Sequence, residues 1–137
     1  MAQDSQPQKQ YIKQSDKTFE DINQLVYQHL ADRDWLGLKA RSLATSIALE
    51  ASELLEHYQW TEEPVGTKQD LADELADILI YSFEFALENQ IDIAAAIEHK
   101  LAKAAEKYPA KQFKNKTAQE KRQNWLDAKI NHHKEGL

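Results

Sequence analysis

Between Ile47 and Tyr81 the chain carries two acidic pairs, Glu50 with Glu53 and Glu74 with Asp77, each set among apolar residues that recur every three or four positions. That period belongs to amphipathic helices, and no stretch shows the sustained alternation of a half-buried strand. A turn around Pro64 and Gly66 separates the two patterns, so the segment reads as an antiparallel helical hairpin. Residues three apart share a helix face, with Cβ atoms roughly 5–6 Å apart. Each pair therefore aims two carboxylates at one spot.

Such crowding has a cost. Two unit charges about 5 Å apart repel by roughly 3 kcal/mol at an effective dielectric near 20, so a counter-charge is expected. The chain has no Cys, and the hairpin has no HxxxH or ExxH spacing, which argues against soft-ligand zinc and the di-iron pattern. Hard oxygen donors suit magnesium, which keeps several waters and usually joins a few carboxylates to substrate phosphates. The bland reading of the same spacing is a pair of bundle helices with solvated acidic faces.

Three Gly and three Pro are few for 137 residues. The Ala, Leu, Glu, Lys and Gln that dominate the middle of the chain favour helices, and a glycine-rich phosphate loop is excluded. The length suits one domain. A net charge of -6 argues against nucleic acid or an anionic membrane as partner. No apolar run approaches the roughly 20 residues of a membrane span, and Met1 to Gln14 lacks the apolar core of a signal peptide. A soluble, cytoplasmic protein is the expectation.

Residues 1–17 are polar and read as a flexible arm. Thr18 with Asp21 reads as a cap for a first helix that carries Phe19, Ile22, Leu25, Val26 and Leu30 to about Asp32. Trp35, in the polar break that follows, either plugs the core or walls a pocket for a planar ligand. The second helix is expected from Ala40 or Arg41 to Trp60, with His57 one turn beyond Glu53 either orienting a ligand or carboxylate or simply half-buried. Thr67 and Asp70 cap a third helix from Lys68 to about Glu88, where Tyr81, one turn past Asp77, borders a base or packs in the bundle. Asp92 starts a fourth helix that ends at Tyr108 and Pro109. Its Lys100, Lys103 and Lys107 form a basic stripe, either facing phosphates or simply solvated. Thr117 and Glu120 open a short last helix with Trp125, Leu126 and Ile130.

From about Trp35 to Pro109 these segments, "LALEASELLEHYQW", "DELADILIYSFEFALENQID" and "EHKLAKAAEKYP", resemble the MazG-like all-α nucleoside triphosphate pyrophosphohydrolases, relatives of dCTP pyrophosphatase. The family pattern is ExxE, a variable spacer and ExxD, met here by Glu50, Glu53, Glu74 and Asp77. The resemblance implies that these four hold Mg2+, with Mn2+ as a substitute. The fold expected is an all-α antiparallel bundle, and because helix hairpins this apolar on a short chain would leave large exposed patches, it is expected to be completed by homo-oligomerisation, as a homodimer or a dimer of dimers. The pyrophosphohydrolase domain would span residues 18–110, with a C-terminal helical extension over 111–137.

The implied reaction splits a (deoxy)nucleoside triphosphate into monophosphate and pyrophosphate, a house-cleaning of the nucleotide pool. Glu53 and Lys100 would be catalytic; Trp35, Tyr81, Lys100, Lys107 and Tyr108 would bind substrate. Ala104 stands where the family commonly has Asn, and the stretch at Lys39, Arg41 and Ser42 lacks the usual Pro and Asn, so the base is not implied. A non-catalytic helical module binding nucleotides or proteins, or a pyrophosphohydrolase for a phosphoribosyl nucleotide, are the alternative readings.

Overall fold

The computed structural model describes residues 10–134, with five α-helices and no strand among the described residues. They are α1 (Phe19–Ala31), α2 (Ala40–Glu56), α3 (Lys68–Glu88), α4 (Ile93–Lys107) and α5 (Ala118–Lys134), with a 3-10 turn at Ala110–Gln112. Residues 10–17 have no regular structure and are exposed. The expected arm lies outside the described residues over 1–9.

Three helices begin with a reciprocal cap. The Thr18 side chain accepts from the Asp21 N–H while the Asp21 carboxylate accepts from the Thr18 N–H at 2.7 Å. Thr67 with Asp70 and Thr117 with Glu120 repeat the arrangement. Each such cap contributes about 1 kcal/mol by satisfying donors the helix cannot. The same bonds, chiefly those made by Thr18, Thr67 and Thr117, hold the Asp21, Asp70 and Glu120 carboxyls below their ordinary range. Asp92 caps α4 by accepting from the Ala95 N–H at 3.0 Å. Only α2 starts without side-chain help, since Lys39 makes no cap bond; packing anchors it through Leu43, which is fully buried.

Helix ends are equally specific. After α1, Asp34 adopts a left-handed φ of 56°, and the Trp35 N–H returns to the Leu30 carbonyl at 2.9 Å. After α3, Gln90 (φ 55°) lets the Ile91 N–H reach the Ala86 carbonyl at 2.9 Å. Both are six-residue closing motifs of the Schellman kind, with a polar residue where Gly is usual. The expected extension of α2 to Trp60 does not occur: the helix stops at Glu56. The chain there folds back on itself, with the Val65 N–H donating to the His57 carbonyl at 2.9 Å.

The principal packing unit is α2 against α3. Glu50 meets Glu74 and Asp77 close to the connecting loop, while Gly37, just ahead of α2, meets Glu88 at the far end of α3. Contacts at both ends in that order make the pair antiparallel. On the other side of α3, Val26 and Leu30 of α1 bury themselves against Phe83, with Ile22, Leu87 and Ile93 around them. Phe19 adds a tilted aromatic contact to Phe83 at 5.9 Å.

The apolar stripes of α2 and α3 are only half used within one chain. Leu55 is 66% exposed and Leu79 50%, Trp60 in the connecting loop is 85% exposed, and α4 contributes no buried residue. Trp35 is 55% exposed, so it does not plug the core. Its ring lies across the end of α1, edge-on to His29 at 6.1 Å and beneath the Arg33 guanidinium at 5.9 Å. Among the described residues no helix is long and apolar enough to cross a membrane.

Candidate metal centre

Glu50 on α2 and Glu74 and Asp77 on α3 each offer a carboxylate oxygen, and these oxygens lie within 4.8 Å of one another. This is the only such group of three or more potential ligands among the described residues. The arrangement follows from local rules. The Thr67 cap fixes where α3 begins, so Glu74 and Asp77 emerge two turns later on one face, and the burial of Leu43 seats α2 with Glu50 opposite them.

Glu53, one turn beyond Glu50, is exposed and stands beside Glu50, outside the triad. Partial burial, then the charges of Glu53, Asp77 and Glu74, push the Glu50 carboxyl above its ordinary range. Negative charge thus gathers around Glu50, and a cation placed among these oxygens would relieve it.

The donors fit magnesium. All are oxygens, and oxygens that share Mg2+ stand at most about 4.2 Å apart, so a spread of 4.8 Å closes with small side-chain rotations. His57 adds a lateral support. Its Nε2 lies 3.6 Å from the Glu74 carboxylate, with both side chains largely covered. That is ion-pair range for a protonated imidazole and longer than a hydrogen bond. Behind the ring sits Gly66, where an added Cβ would fall 2.5 Å from two imidazole atoms. Sequence spacing flagged His57, but the wedge between Gly66 and Glu74 depends on the path of the loop.

The other predicted site residues are distributed unevenly. Tyr81 is half-buried, one turn beyond Asp77. Lys100, Lys107 and Tyr108 line a separate groove of about 1040 Å³ between α4 and α5, with Asn124 and His132 across from them, and none of the four acids lines it. There Lys107 stacks on the Tyr108 ring at 5.4 Å, and Tyr108 meets Phe113 edge-on at 6.0 Å.

Missed by the sequence reading was Glu84, only 2% exposed, with an Oε1 that has no hydrogen-bond partner among the described residues. Burial, and secondarily Glu88, raise its carboxyl above the usual range. Its only sequence signal is a position seven after Asp77, on the same helix face.

dCTP pyrophosphatase 1 of Bos taurus is 34% identical over 104 residues, covering 69% of this chain and 62% of the relative. The Mus musculus protein of that name is 31% identical over 101 residues, covering 67% of this chain and 59% of its own length. The chain thus spans about 60% of the length of the curated relatives it matches. The crystal structure of a pyrophosphatase from Archaeoglobus fulgidus superposes with a TM-score of 0.62 at 29% identity, over 72% of this chain and 99% of that one. The MazG-like family profile matches residues 45–122, which include all four acids. With more than half its length so matched, the chain belongs to the MazG-like family.

Proposed function

We propose that the chain hydrolyses a nucleoside triphosphate, ribo- or deoxyribo-, between its α and β phosphates. The observation that carries this reading is the convergence of Glu50, Glu74 and Asp77 from two helices onto one point. The dCTP pyrophosphatase relatives support it. Glu50, Glu74 and Asp77, with Glu53 beside them, would hold Mg2+, or Mn2+ in its place. Such an ion, when bound, neutralises phosphate oxygens and acidifies water.

In the reaction a water oxygen forms a bond to phosphorus, the anhydride bond opens, and pyrophosphate leaves with the electron pair. Glu53, exposed and outside the triad, takes the water's proton. Lys100 and Lys107 line the groove between α4 and α5, apart from the acids, and would offset negative charge on the pyrophosphate once it extends from the acids into that groove. Trp35 and Tyr81 flank the nucleoside, and Tyr108 orders the phosphate end.

Homo-oligomerisation, as a dimer or a dimer of dimers, covers the apolar side chains left open on α2 and α3. Leu55 on α2 and Leu75 and Leu79 on α3 are at least half exposed in one chain, and exposed apolar surface of this kind marks an interface. Sedimentation should therefore give a species larger than the monomer at micromolar protein. The activity itself is tested with a panel of dNTPs and NTPs in a pyrophosphate-coupled assay with magnesium; no release from any of them would overturn the reading.

A further inference from the structure

Glu88 accepts a 2.6 Å hydrogen bond from the Gly37 N–H across 51 positions of sequence. The other side-chain hydrogen bonds among the described residues span at most 12 positions. This bond thus ties the α1–α2 loop to the last turn of α3. Gly37 has a left-handed φ of +88° and open space around its missing Cβ. Glycine therefore serves backbone shape here, turning the N–H toward α3, and not close packing. Two residues earlier the Trp35 N–H is held by the Leu30 carbonyl at 2.9 Å. The short segment that presents Trp35 is fastened on one side to α1 and on the other to Glu88.

Glu84 sits one turn before Glu88, is almost completely buried, and has an Oε1 unpartnered among the described residues. Burial and the neighbouring Glu88 favour its protonated form. Glu88 instead engages the loop through its Oε1, and a carboxylate acceptor makes a shorter, stronger bond to an N–H than a neutral one does. From Asp77 to Glu88 the helix rises about 16 Å, a span that an extended nucleoside triphosphate can bridge from its phosphates to its base.

We infer that Glu88 is a positioning residue: by holding the Gly37 N–H it fixes the Trp35 segment at the end of α3 away from the acidic triad, presetting the wall that meets the nucleoside. The substrate half of this inference rests on the nucleotide hydrolysis proposed above; the clasp itself does not. Removing it should loosen nucleoside binding and leave the chemistry at the acids intact.

The test combines steady-state kinetics on the preferred nucleotide with 19F spectra of protein labelled with 5-fluorotryptophan, the Trp35 signal being assigned by its loss in Trp35→Phe. Glu88→Ala should raise KM roughly tenfold with kcat within about twofold, and shift or broaden the Trp35 resonance alone. Glu88→Gln, whose amide oxygen can accept the same N–H, should restore KM and the resonance to near wild type. An unchanged Trp35 resonance in Glu88→Ala would overturn the clasp, whatever the activity. A fall in kcat with KM unchanged, or a Gln variant that behaves like Ala, would overturn the positioning role. A wild-type protein inert toward every nucleotide would remove the substrate half, and the resonance would still decide the clasp.

Discussion

Gly66→Ala tests whether the hairpin loop supports the acidic cluster. A Cβ there would stand 2.5 Å from Cε1 and Nδ1 of His57 and 3.1 Å from the Asp70 Cβ. The backbone at Gly66 is not left-handed, so contact, not strain, is the whole effect. The His57 ring is 18% exposed and faces Glu74 on its other edge, so it has little room to yield. Overpacking of this kind costs about 1–3 kcal/mol, a drop of roughly 3–10 °C in Tm for a chain this long. Displacing a group that backs a metal ligand also lowers affinity by about 10–100-fold.

The assay is a set of thermal melts and calorimetric magnesium titrations on four proteins: wild type, Gly66→Ala, His57→Ala and the double variant. Without the ring the methyl has space, so in the His57→Ala background Gly66→Ala should cost less than about 0.5 kcal/mol. Equal cost in both backgrounds, or a Gly66→Ala protein with unaltered Tm and magnesium affinity, would refute the reasoning.

Other perturbations have equally definite outcomes. Glu84 binds its proton more tightly folded than unfolded, so stability falls as pH rises from about 4.3, the unfolded value, through the raised folded one. Glu84→Gln should match wild type in thermal melts at pH 4 and exceed it at pH 8. Glu50→Gln relieves repulsion within the triad; it should raise the Tm of the metal-free protein while abolishing the upward shift that millimolar magnesium gives wild type. Thr67→Ala removes the reciprocal cap of α3 and should cost about 1 kcal/mol in chemical denaturation. Leu79→Glu, on the half-exposed stripe of α3, should shift sedimentation toward the monomer.

Much of this fold was legible because its helices announce their own ends. Thr67 with Asp70 set the start of α3, and the helix ends at Glu88 as its period implied. Thr18, Asp92 and Thr117 marked the starts of α1, α4 and α5 in the same way, but α5 runs for 17 residues where a short helix was expected. The end of α2 was not legible: His57, Tyr58, Gln59 and Trp60 contain no breaker, and what stops the helix is the return of the loop onto His57.

The acidic spacing foretold which side chains point the same way, and Glu50, Glu74 and Asp77 converge. It carried no information on Glu53 standing outside the triad, a matter of side-chain direction between helices. Nor could it place Lys100 and Lys107, since α4 buries nothing and no local pattern sets its seat. Glu84 escaped notice because a charged residue on a helix is ordinarily solvated, and only the close approach of neighbouring elements covers it.

Pyrophosphate release should depend on the four acids. With magnesium and the preferred nucleoside triphosphate, Asp77→Asn and Glu53→Gln should each lower kcat by about 10²–10⁴-fold while melting cooperatively as folded proteins. Full turnover by both variants would contradict it.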